Sequence, residues 1–457
     1  MKILWWLSLL GLAIVLHFGH DLNTDEGVTL NGAWNLFNGL HLYSDSFEFI
    51  PPGSFYLLFG IWKIFGVSFL AAKALAISLL FLGSIGLYKA SRLIIGNRLI
   101  NYVTPLAFII ISGWWPIINH NTFNLALLIW SSYFLIKGLD DLKKINFIAS
   151  GLLAGSAILF LQQKGLALSG TMCLFLILLA LRKKQVIYAK LTMLLFTASL
   201  VLLSLLCFWP SKVIFYNLIK YPFLGYLAAN QISYNLLIIS LIGWGVLSLI
   251  LLAAKEKSDK VWFLISIQFF LLLTTYPLPD AYHISQAIFP SLLVIFYLAA
   301  KILIIYKQAA VKYLIIIFLT ITLMNLLIFD LIVSPPSFIA WKKNKNYGII
   351  EYINSNCPGR YIYSGPFLPN IYFETKKLNA TPYSVLVTRQ QTSEQFINAL
   401  KSFRENKPSC AILSYPNSFS RFKHDQNNPL EEYIKTNYEL VYHPLSYLFI
   451  YKNLENN

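Results

Sequence analysis

Long apolar runs dominate this sequence and constrain its fold more than any other feature. A helix needs roughly 20 mainly apolar residues to cross the hydrocarbon core of a bilayer, because it rises about 1.5 Å per residue. Most of the sequence up to residue 333 consists of runs of about this length with short polar connections. The sequence therefore predicts an α-helical polytopic membrane protein with about eleven transmembrane helices. The predicted spans are residues 3–18, 68–92, 100–118, 122–139, 145–162, 165–182, 186–209, 232–254, 261–277, 283–304 and 311–333.

The charge content agrees with this class and excludes a soluble nucleic-acid-binding protein. Only 12% of the residues are charged and 57% are hydrophobic, whereas soluble domains carry about 25% charged residues. The net charge is +16, but the basic residues form short clusters between apolar runs. This distribution is typical of cytoplasmic loops under the positive-inside rule. It indicates membrane lipids as partners, and no nucleic acid.

The basic clusters also predict the orientation in the plasma (cytoplasmic) membrane. If the N-terminus with Lys2 is cytoplasmic, every second connection lies on the cytoplasmic side, and these connections hold the basic clusters. The opposite connections are poor in basic residues and contain acidic ones. An odd number of spans then makes the C-terminal region extracytoplasmic. The basic residues predicted to be cytoplasmic are Lys89, Arg92, Arg98, Lys137, Lys143, Lys144, Arg182, Lys183, Lys184, Lys190, Lys255, Lys257, Lys260, Lys301, Lys307 and Lys312.

After the last predicted span the composition becomes polar and rich in turn residues, which marks a second domain. We expect a transmembrane domain over residues 1–333, with a long first outer loop at 20–67, and a small extracytoplasmic α/β domain over 334–457. The apolar segment Ser54–Phe65 is too short to span and is interrupted by Lys63, so we expect a helix along the outer interface. In the C-terminal domain the strand-like runs are Arg360–Ser364, Ser409–Leu413, Glu439–Tyr442 and Tyr447–Tyr451, and the helix-like runs are Tyr347–Ile353, Ser393–Glu405 and Pro429–Thr436.

The four cysteines form two groups. Cys173 and Cys207 lie inside apolar runs, where we expect inert thiols. Cys357 and Cys410 lie in the domain that we predict to be extracytoplasmic, where a disulfide between them is compatible with the redox environment. No Cys-x-x-Cys or mixed Cys/His spacing typical of a metal site occurs.

An acidic pair, Asp25 and Glu26, follows the first span in the segment Asn23–Gly27. One of two adjacent carboxylates can take a proton from a hydroxyl acceptor, while the other orients the acceptor or holds a cation. The structural alternative is a helix N-terminus, in which Thr24 or Asp25 caps a helix through Val28–Phe37 and the carboxylates favour its dipole. The two interpretations are compatible, and Asp25 and Glu26 are our candidate catalytic residues.

The first outer loop supplies two further candidates for substrate binding, Tyr43 and Glu48. They precede the segment Pro51-Pro52-Gly53, whose prolines stiffen the return to the membrane. Glu48 can add a further carboxylate to a site near Asp25. The alternative for Glu48 is a solvated loop acid.

Three lysines in outer connections are candidates for binding an anionic group. Lys164 lies in a very short connection close to the membrane plane, where a lipid phosphate would be, and lysine is a good point-charge partner for phosphate. The alternative for Lys164 is an interfacial lysine that extends its ammonium to water. Lys212 and Lys220 lie in the second long outer loop, Pro210–Gln231, where basic and aromatic residues alternate.

Histidines also map to the outer connections. In the segment Tyr276–His283, Asp280 precedes His283 at a predicted helix start, and an ionisable residue at this depth is a functional candidate by default. The alternative is an Asp–His pair that only holds the loop. His120, at the outer end of the fourth span, either meets a ligand or caps the helix. The histidines predicted to lie on the outer side are His20, His41, His120 and His283. We expect one polar site there, without an assigned metal.

Together these motifs resemble the GT-C class of membrane glycosyltransferases. They are closest to the prokaryotic, family 39-like group that includes protein O-mannosyltransferases and the lipid A aminoarabinose transferase. The C-terminal domain is only generically similar. The features that carry the resemblance are Asp25-Glu26-Gly27 after the first helix, Gly39…Leu42-Tyr43 and Pro51-Pro52 in the first outer loop, Gln163-Lys164-Gly165, and the Tyr276-Pro277…Asp280…His283 loop.

The resemblance implies an enzyme that moves a sugar from a polyprenyl-phosphate-linked donor to a protein, lipid or glycan acceptor at the outer face of the membrane. Residues 1–333 would be the catalytic domain, with Asp25 as base or acceptor anchor and Glu26 in support. Many members carry an acidic residue near the start of the fourth helix, where this chain has Asn119–Asn124, so no metal ligands are assigned. A divalent cation stays an open expectation, and no other cofactor is expected. The substrate-binding residues would be Tyr43, Glu48, His120, Lys164, Lys212, Lys220, Asp280 and His283.

Two other functions compete with this interpretation. A transporter or lipid flippase would place ionisable residues near mid-membrane, often within inverted repeats, whereas this chain has its candidates in outer connections and no evident repeat. A polymerase or ligase of lipid-linked polysaccharide would also act at the outer face. The Asp25-Glu26 pair directly after the first helix favours the GT-C interpretation.

Overall fold

The computed structural model describes residues 2–18, 22–112, 117–183, 188–226, 233–305, 313, 317, 320–328, 347–416 and 422–453. Each predicted span from 3–18 through 283–304 coincides with helical structure, which confirms the polytopic helical class. Within the described residues, five helices are long and apolar enough to cross a membrane: Phe69–Ile94, His120–Asp141, Gln162–Arg182, Lys190–Cys207 and Asn235–Ala253. The other helices at predicted spans are Lys2–Phe18, Arg98–Ile111, Lys144–Phe160, Asp259–Leu273, Ala281–Ser285 and Phe289–Ile305.

The last two predicted spans are not described as single continuous helices. The run 283–304 is divided into the helices Ala281–Ser285 and Phe289–Ile305. Pro290 stands at the start of the second helix and has no N–H to donate to the carbonyl four residues earlier, so a continuous helix is interrupted there. Most of the last run, 311–333, lies outside the described residues, although 320–328 are helical. The total number of spans therefore stays a prediction.

Internal contacts divide the chain into two compact units. We call the first the helical unit; it comprises Met1–His20, Lys73–Trp209 and Ile232–Pro336. We call the second the loop–tail unit; it comprises Asp21–Ala72, Pro210–Gln231 and Ser337–Asn457. The two long loops that we predict to be outer thus group with the C-terminal region, whereas composition alone suggested a single boundary at residue 333.

Small residues bring two helices of the helical unit together. Gly151 and Gly155 lie on the helix Lys144–Phe160, and they contact the helix Tyr188–Ser204. A Cβ at Gly151 would be 2.5 Å from the carbonyl oxygen of Leu194, and a Cβ at Gly155 would be 2.8 Å from that of Ala198. Such backbone approach increases van der Waals contact, which is a main source of helix association in lipid.

The C-terminal part of the loop–tail unit contains a five-stranded sheet. The strands are β1 (Tyr361–Gly365), β2 (Leu378–Asn379), β3 (Cys410–Ser414), β4 (Tyr438–Leu445) and β5 (Leu448–Asn453). Their order in the sheet is β2-β1-β3-β5-β4. β1 pairs in parallel with β2 and β3, and β5 pairs antiparallel with β3 and β4, with Ile412 opposite Ile450. All strand-like runs that we identified are strands, and the short β2 is an addition.

Four helices complete the described part of this α/β domain, three at the predicted places and one, Asn370–Thr375, that was not predicted. They are Tyr347–Asn356, Asn370–Thr375, Ser393–Asn406 and Pro429–Asn437. Thr392 and Gln395 form a capping box at the start of the third, and Asn428 caps the fourth, which has Pro429 at its first position. Cys357 and Cys410 form a disulfide that ties the end of the first helix to β3.

The first long loop contributes the helices Thr24–Phe37 and Gly53–Phe65 to the loop–tail unit. They pack together at Gly32, where a Cβ would be 2.4 Å from the ring of Phe55. The second long loop contributes the helical turns Ser211–Phe215, Tyr216–Lys220 and Pro222–Tyr226.

Candidate functional site

The acidic pair lies in the first turn of the helix Thr24–Phe37, but neither Thr24 nor Asp25 caps it. The cap is Asn23, whose side-chain oxygen accepts the Asp25 N–H at 2.6 Å, while Glu26 Oε2 accepts the Asn23 N–H at 3.3 Å. Glu26 is fully buried and takes part in this capping box, whereas Asp25 is half-buried. The cap uses the main chain of Asp25, so the helix end does not require the Asp25 carboxylate.

Gly27 follows the acidic pair at a position where close packing leaves no room for a side chain. A Cβ at Gly27 would lie 2.4 Å from the main-chain nitrogen of Asn370, at the start of the helix Asn370–Thr375. Any larger residue would have to displace backbone. The close approach of a C-terminal helix therefore fixes the position of the acidic pair within the loop–tail unit.

Glu48 is a buried residue in a polar chain that links the first loop to the C-terminal domain. Ser384 Oγ donates to Glu48 Oε1 at 3.0 Å, and Asn31 Nδ2 donates to Ser384 Oγ at 3.1 Å. Burial raises the pKa of Glu48 from 4.5 to about 8, and the Ser384 hydrogen bond opposes this shift. Glu48 is thus mainly a neutral carboxylic acid at pH 7, able to donate a hydrogen bond. The alternative of a solvated loop acid is wrong, because Glu48 is only 3% exposed.

Two tyrosines lie beside Glu48 in the same unit. Tyr43 donates from its hydroxyl to the carbonyl of Ile50 at 2.8 Å, and burial, followed by the nearby Glu48, raises the Tyr43 pKa. Tyr221, from the second long loop, accepts from Gln391 Nε2 at 3.0 Å and packs edge-on against Phe47. Both long loops and the C-terminal domain therefore contribute to this buried cluster.

A second polar cluster lies in the helical unit around Lys164. Its ammonium is buried, with 2% of the residue exposed, and donates to Asn121 Oδ1 at 2.9 Å. Asn121 Nδ2 lies 3.2 Å from His120 Nε2, and since an amide nitrogen only donates, this ring nitrogen accepts. Lys164 also interacts electrostatically with Asp280, and His120 with His283. The alternative of a lysine that extends to water is wrong, because Lys164 points into this buried cluster.

Asp280 and His283 form the pair that the sequence suggested. Asp280 caps the helix Ala281–Ser285 by accepting the His283 N–H at 2.8 Å, and His283 Nδ1 lies 2.8 Å from the same carboxylate oxygen. The pair holds the loop, and in addition Asp280 interacts electrostatically with Lys164 and His283 with His120. The loop-holding role of the Asp280–His283 pair is confirmed, and its role in substrate binding stays a prediction.

Buried polar atoms with no hydrogen-bond partner among the described residues lie close in sequence to this cluster. They include both amide atoms of Asn124, one turn after His120 on the same helix, and Oε1 of Gln286, just after the helix that carries His283. Buried polar groups are normally paired, so these atoms are suited to a polar ligand.

The remaining candidates lie elsewhere. Lys212 and Lys220 are exposed on the second long loop, with the Lys220 ammonium 5.9 Å from the ring centroid of Tyr216. His41 is exposed and pairs with Asp45, and His20 lies outside the described residues. Within the part of the chain that the structure describes, no group of three or more His, Cys, Asp or Glu side chains could hold a metal ion.

Sequence reasoning missed Asn31, Ser384 and Tyr221 as members of the Glu48 cluster. Ser384 lies 336 residues from Glu48 in the sequence and belongs to no motif, so no local signal could identify it. Asn31 carries a weak signal, since it is an uncharged polar residue inside an otherwise apolar part of the helix Thr24–Phe37.

No protein-family model matches this sequence, and no curated protein matches it either. Solved structures, however, share its fold over nearly its whole length. ArnT from Cupriavidus metallidurans bound to undecaprenyl phosphate is 14% identical, with a TM-score of 0.66 over 99% of this chain and 98% of that one. The apo Archaeoglobus fulgidus oligosaccharyltransferase is 11% identical, with a TM-score of 0.59 over 98% of this chain and 74% of that one.

The archaeal oligosaccharyltransferase AglB from Archaeoglobus fulgidus, in complex with an inhibitory peptide and a dolichol-phosphate, is also similar. It is 11% identical, with a TM-score of 0.53 over 100% of this chain and 75% of that one. At such identities the likeness concerns the fold. The chain therefore has the fold of the GT-C glycosyltransferases, as the resemblance of its motifs predicted.

Proposed function

We propose that this protein is a glycosyltransferase that moves a sugar from a polyprenyl-phosphate-linked donor to a hydroxyl group of a protein, lipid or glycan acceptor at the outer face of the plasma membrane. The observation that carries the proposal is the buried ammonium of Lys164 among polar residues in a unit of apolar helices. Asp280, which also holds His283, offsets the cost of burying this cation only in part, and a phosphate at the membrane surface supplies further compensation.

Two structures with this fold support this class of donor. ArnT is bound to undecaprenyl phosphate, and AglB is in complex with a dolichol-phosphate. Both are phosphates on long isoprenoid chains. In our proposal the phosphate of the donor interacts with Lys164, and His120 and the Asp280–His283 pair orient it. The unpaired amide of Asn124 is a further contact for the donor.

Asp25 is the proposed base. As the acceptor oxygen attacks the anomeric carbon, its proton passes to the Asp25 carboxylate, and the bond between the sugar and the phosphate oxygen breaks. The polyprenyl phosphate leaves with that electron pair. Lys164 binds the phosphate in the donor and in the leaving group alike, so the remaining tasks of the enzyme are to position the acceptor and remove its proton.

Glu26 and Glu48 have supporting roles in this proposal. Glu26 holds the start of the helix that carries Asp25 through its capping bond to Asn23. Glu48, neutral at pH 7 because of its raised pKa, acts as a hydrogen-bonding group for the substrate rather than as a base. Its link to Ser384 gives the C-terminal domain a part in substrate binding.

The test is transfer from extracted lipid-linked sugars to candidate acceptors by purified protein. Asp25→Asn should lower the transfer rate by about 10²–10⁴. The substitution keeps the size of the side chain and leaves the Asn23 cap in place, because the cap uses the main-chain N–H of Asp25, so the variant should still fold and insert. The matched control is Asp45→Asn, which changes an exposed acid of the same loop and should leave the rate unchanged. If Asp25→Asn transferred sugar at the wild-type rate, the proposal that Asp25 is the base would be wrong.

The donor role of Lys164 is tested separately. Lys164→Ala should raise the KM for the donor more than it lowers kcat, because it removes a contact to the phosphate. Lys143→Ala, at an exposed lysine of another connection, is the control. Movement of the lipid-linked sugar across the bilayer of proteoliposomes without any glycosylated product would indicate a flippase and overturn the proposed activity.

A further inference from the structure

Two lysines of the loop–tail unit share one aromatic platform. The platform consists of Trp34, Phe37, Phe59, Trp62 and Phe373. Trp34 stacks on Phe37 with the ring planes 9° apart, and Trp62 stacks on Phe373 with a centroid distance of 5.2 Å. These rings come from two helices of the first long loop and from the C-terminal domain.

Each lysine lies over rings of this platform. The Lys63 ammonium is 4.8 Å from the centroid of Phe37 and 5.3 Å from that of Phe59. The Lys376 ammonium is 3.5 Å from the centroid of Phe373 and 5.4 Å from that of Trp34. Both lysines are exposed, and neither forms an ion pair within the described residues.

Glu374 is the acidic residue that interacts electrostatically with Lys376, and its Oε2 also accepts from the neutral amide of Asn370 at 2.9 Å. Two ammonium groups beside this one carboxylate give the platform a net positive charge that suits an anion. Burial lowers the pKa of Lys376 to about 8, so its ammonium stays mainly charged at pH 7. The aromatic rings hold both ammonium groups in place.

The chain itself connects this platform to the membrane surface. The helix Gly53–Phe65 is capped by Gly66, and the apolar span Phe69–Ile94 begins three residues after this cap. The turn is fixed, because Trp62 Nε1 donates to the carbonyl of Ser68 at 3.0 Å. Lys63 therefore lies within a few residues of the point where the chain enters the bilayer.

A series of contacts also connects the start of this span to Lys376. Ser68, at the start of the span, is bonded to Trp62, Trp62 stacks on Phe373, and Lys376 lies on Phe373. Beside Lys63, Ile64 and Phe65 are 73% and 71% exposed, as expected for side chains that enter the acyl region. Aromatic rings with lysines and adjacent apolar side chains are typical of the membrane interface.

We propose that Lys63 and Lys376 bind the headgroup phosphate of an anionic phospholipid and so dock the C-terminal domain onto the bilayer surface where the span Phe69–Ile94 begins. Ile64 and Phe65 enter the lipid beside this headgroup. The occupant is the lipid surface rather than a soluble anion, because the lysines are tied to the start of a span. The docking is independent of glycosyl transfer.

The test uses the full chain in nanodiscs of phosphatidylcholine that contain dansyl-labelled phosphatidylglycerol at low mole fraction. Energy transfer from protein tryptophans reports how strongly the labelled lipid associates. Lys63→Gln and Lys376→Gln should each weaken this association about fivefold, the factor that corresponds to about 1 kcal/mol per basic residue at an anionic surface. The double substitution should weaken it further, and substitution of both lysines by arginine should preserve it.

Lys401→Gln is the matched control, since Lys401 is a highly exposed lysine on the helix Ser393–Asn406, which contributes no ring to the platform. It should leave the association unchanged. Inorganic phosphate at millimolar concentration should not compete with the lipid, and 1 M salt should abolish the difference between wild type and double variant. Equal association for wild type and the folded double variant, equal loss in Lys401→Gln, or displacement by inorganic phosphate would overturn the proposal.

Discussion

Glu48→Gln tests whether the buried carboxyl group of the first loop is neutral at physiological pH. Burial raises its pKa from 4.5 to about 8. A carboxyl group with a raised pKa binds its proton more tightly in the folded protein, so stability is greatest below pH 4.5. It falls as the unfolded chain ionises and levels off above pH 8. At about 1.4 kcal/mol per pH unit, the whole loss is about 5 kcal/mol.

Glutamine has no proton to lose and keeps an oxygen that can accept from Ser384. Any cost of its extra N–H donors is the same at every pH. The free energy of unfolding of Glu48→Gln, relative to wild type, should therefore rise by about 5 kcal/mol between pH 4.5 and pH 8. The other titrating groups cancel in this difference.

The assay is the thermal midpoint of both proteins across this pH range, together with infrared spectra of the carboxylic acid C=O band. The wild type should show a carboxylic acid band at pH 7 that is missing in Glu48→Gln. Ser384→Ala should shift the titration of this band to higher pH, because the Ser384 hydrogen bond lowers the pKa. A stability difference that does not change between pH 4.5 and pH 8, or the absence of the band at pH 7, would refute the reasoning.

Three further predictions concern topology, covalent structure and packing. With the free cysteines replaced, a membrane-impermeant thiol reagent should label Ser44→Cys but not Lys257→Cys in sealed cells, as the charge distribution predicts. Loss of the Cys357–Cys410 bond, which closes a separation of 53 residues, should lower the stability of the C-terminal domain by up to about 4 kcal/mol, measured by unfolding with and without reductant. Gly27→Ala should lower the thermal midpoint through a loss of about 1–3 kcal/mol, because its Cβ would meet the main chain of Asn370.

For each of these three predictions, a specific result would contradict the reasoning. Labelling of Lys257→Cys in sealed cells would contradict the predicted orientation. A C-terminal domain that unfolds identically in oxidising and reducing buffer would exclude a stabilising disulfide. Gly60→Ala is the counterpart of Gly27→Ala, since no atom lies within 4 Å of its added Cβ. It should be neutral or slightly stabilising, and an equal loss at both positions would refute the packing argument.

Local patterns in the sequence determined the class of this protein and most of its elements. Apolar length predicts a span regardless of tertiary structure, because the bilayer sets the length of a helix that must cross it. Strand and helix patterns in the C-terminal domain likewise predicted its elements. The Asp25-Glu26 pair and Lys164 were found because ionisable residues next to apolar runs are conspicuous.

Only the tertiary structure decided which of these residues contact one another and whether a residue such as Glu48 is protonated. Ser384 reaches Glu48 from the far end of the chain, and the burial that raises the Glu48 pKa is a property of packing that no local pattern contains. The cap is Asn23 rather than Thr24 or Asp25, and since all three successive residues are of types favoured at this position, the sequence alone does not single out one of them. Likewise, Lys164, Asn121 and Asp280 are far apart in sequence, and only helix packing brings them together around one buried charge.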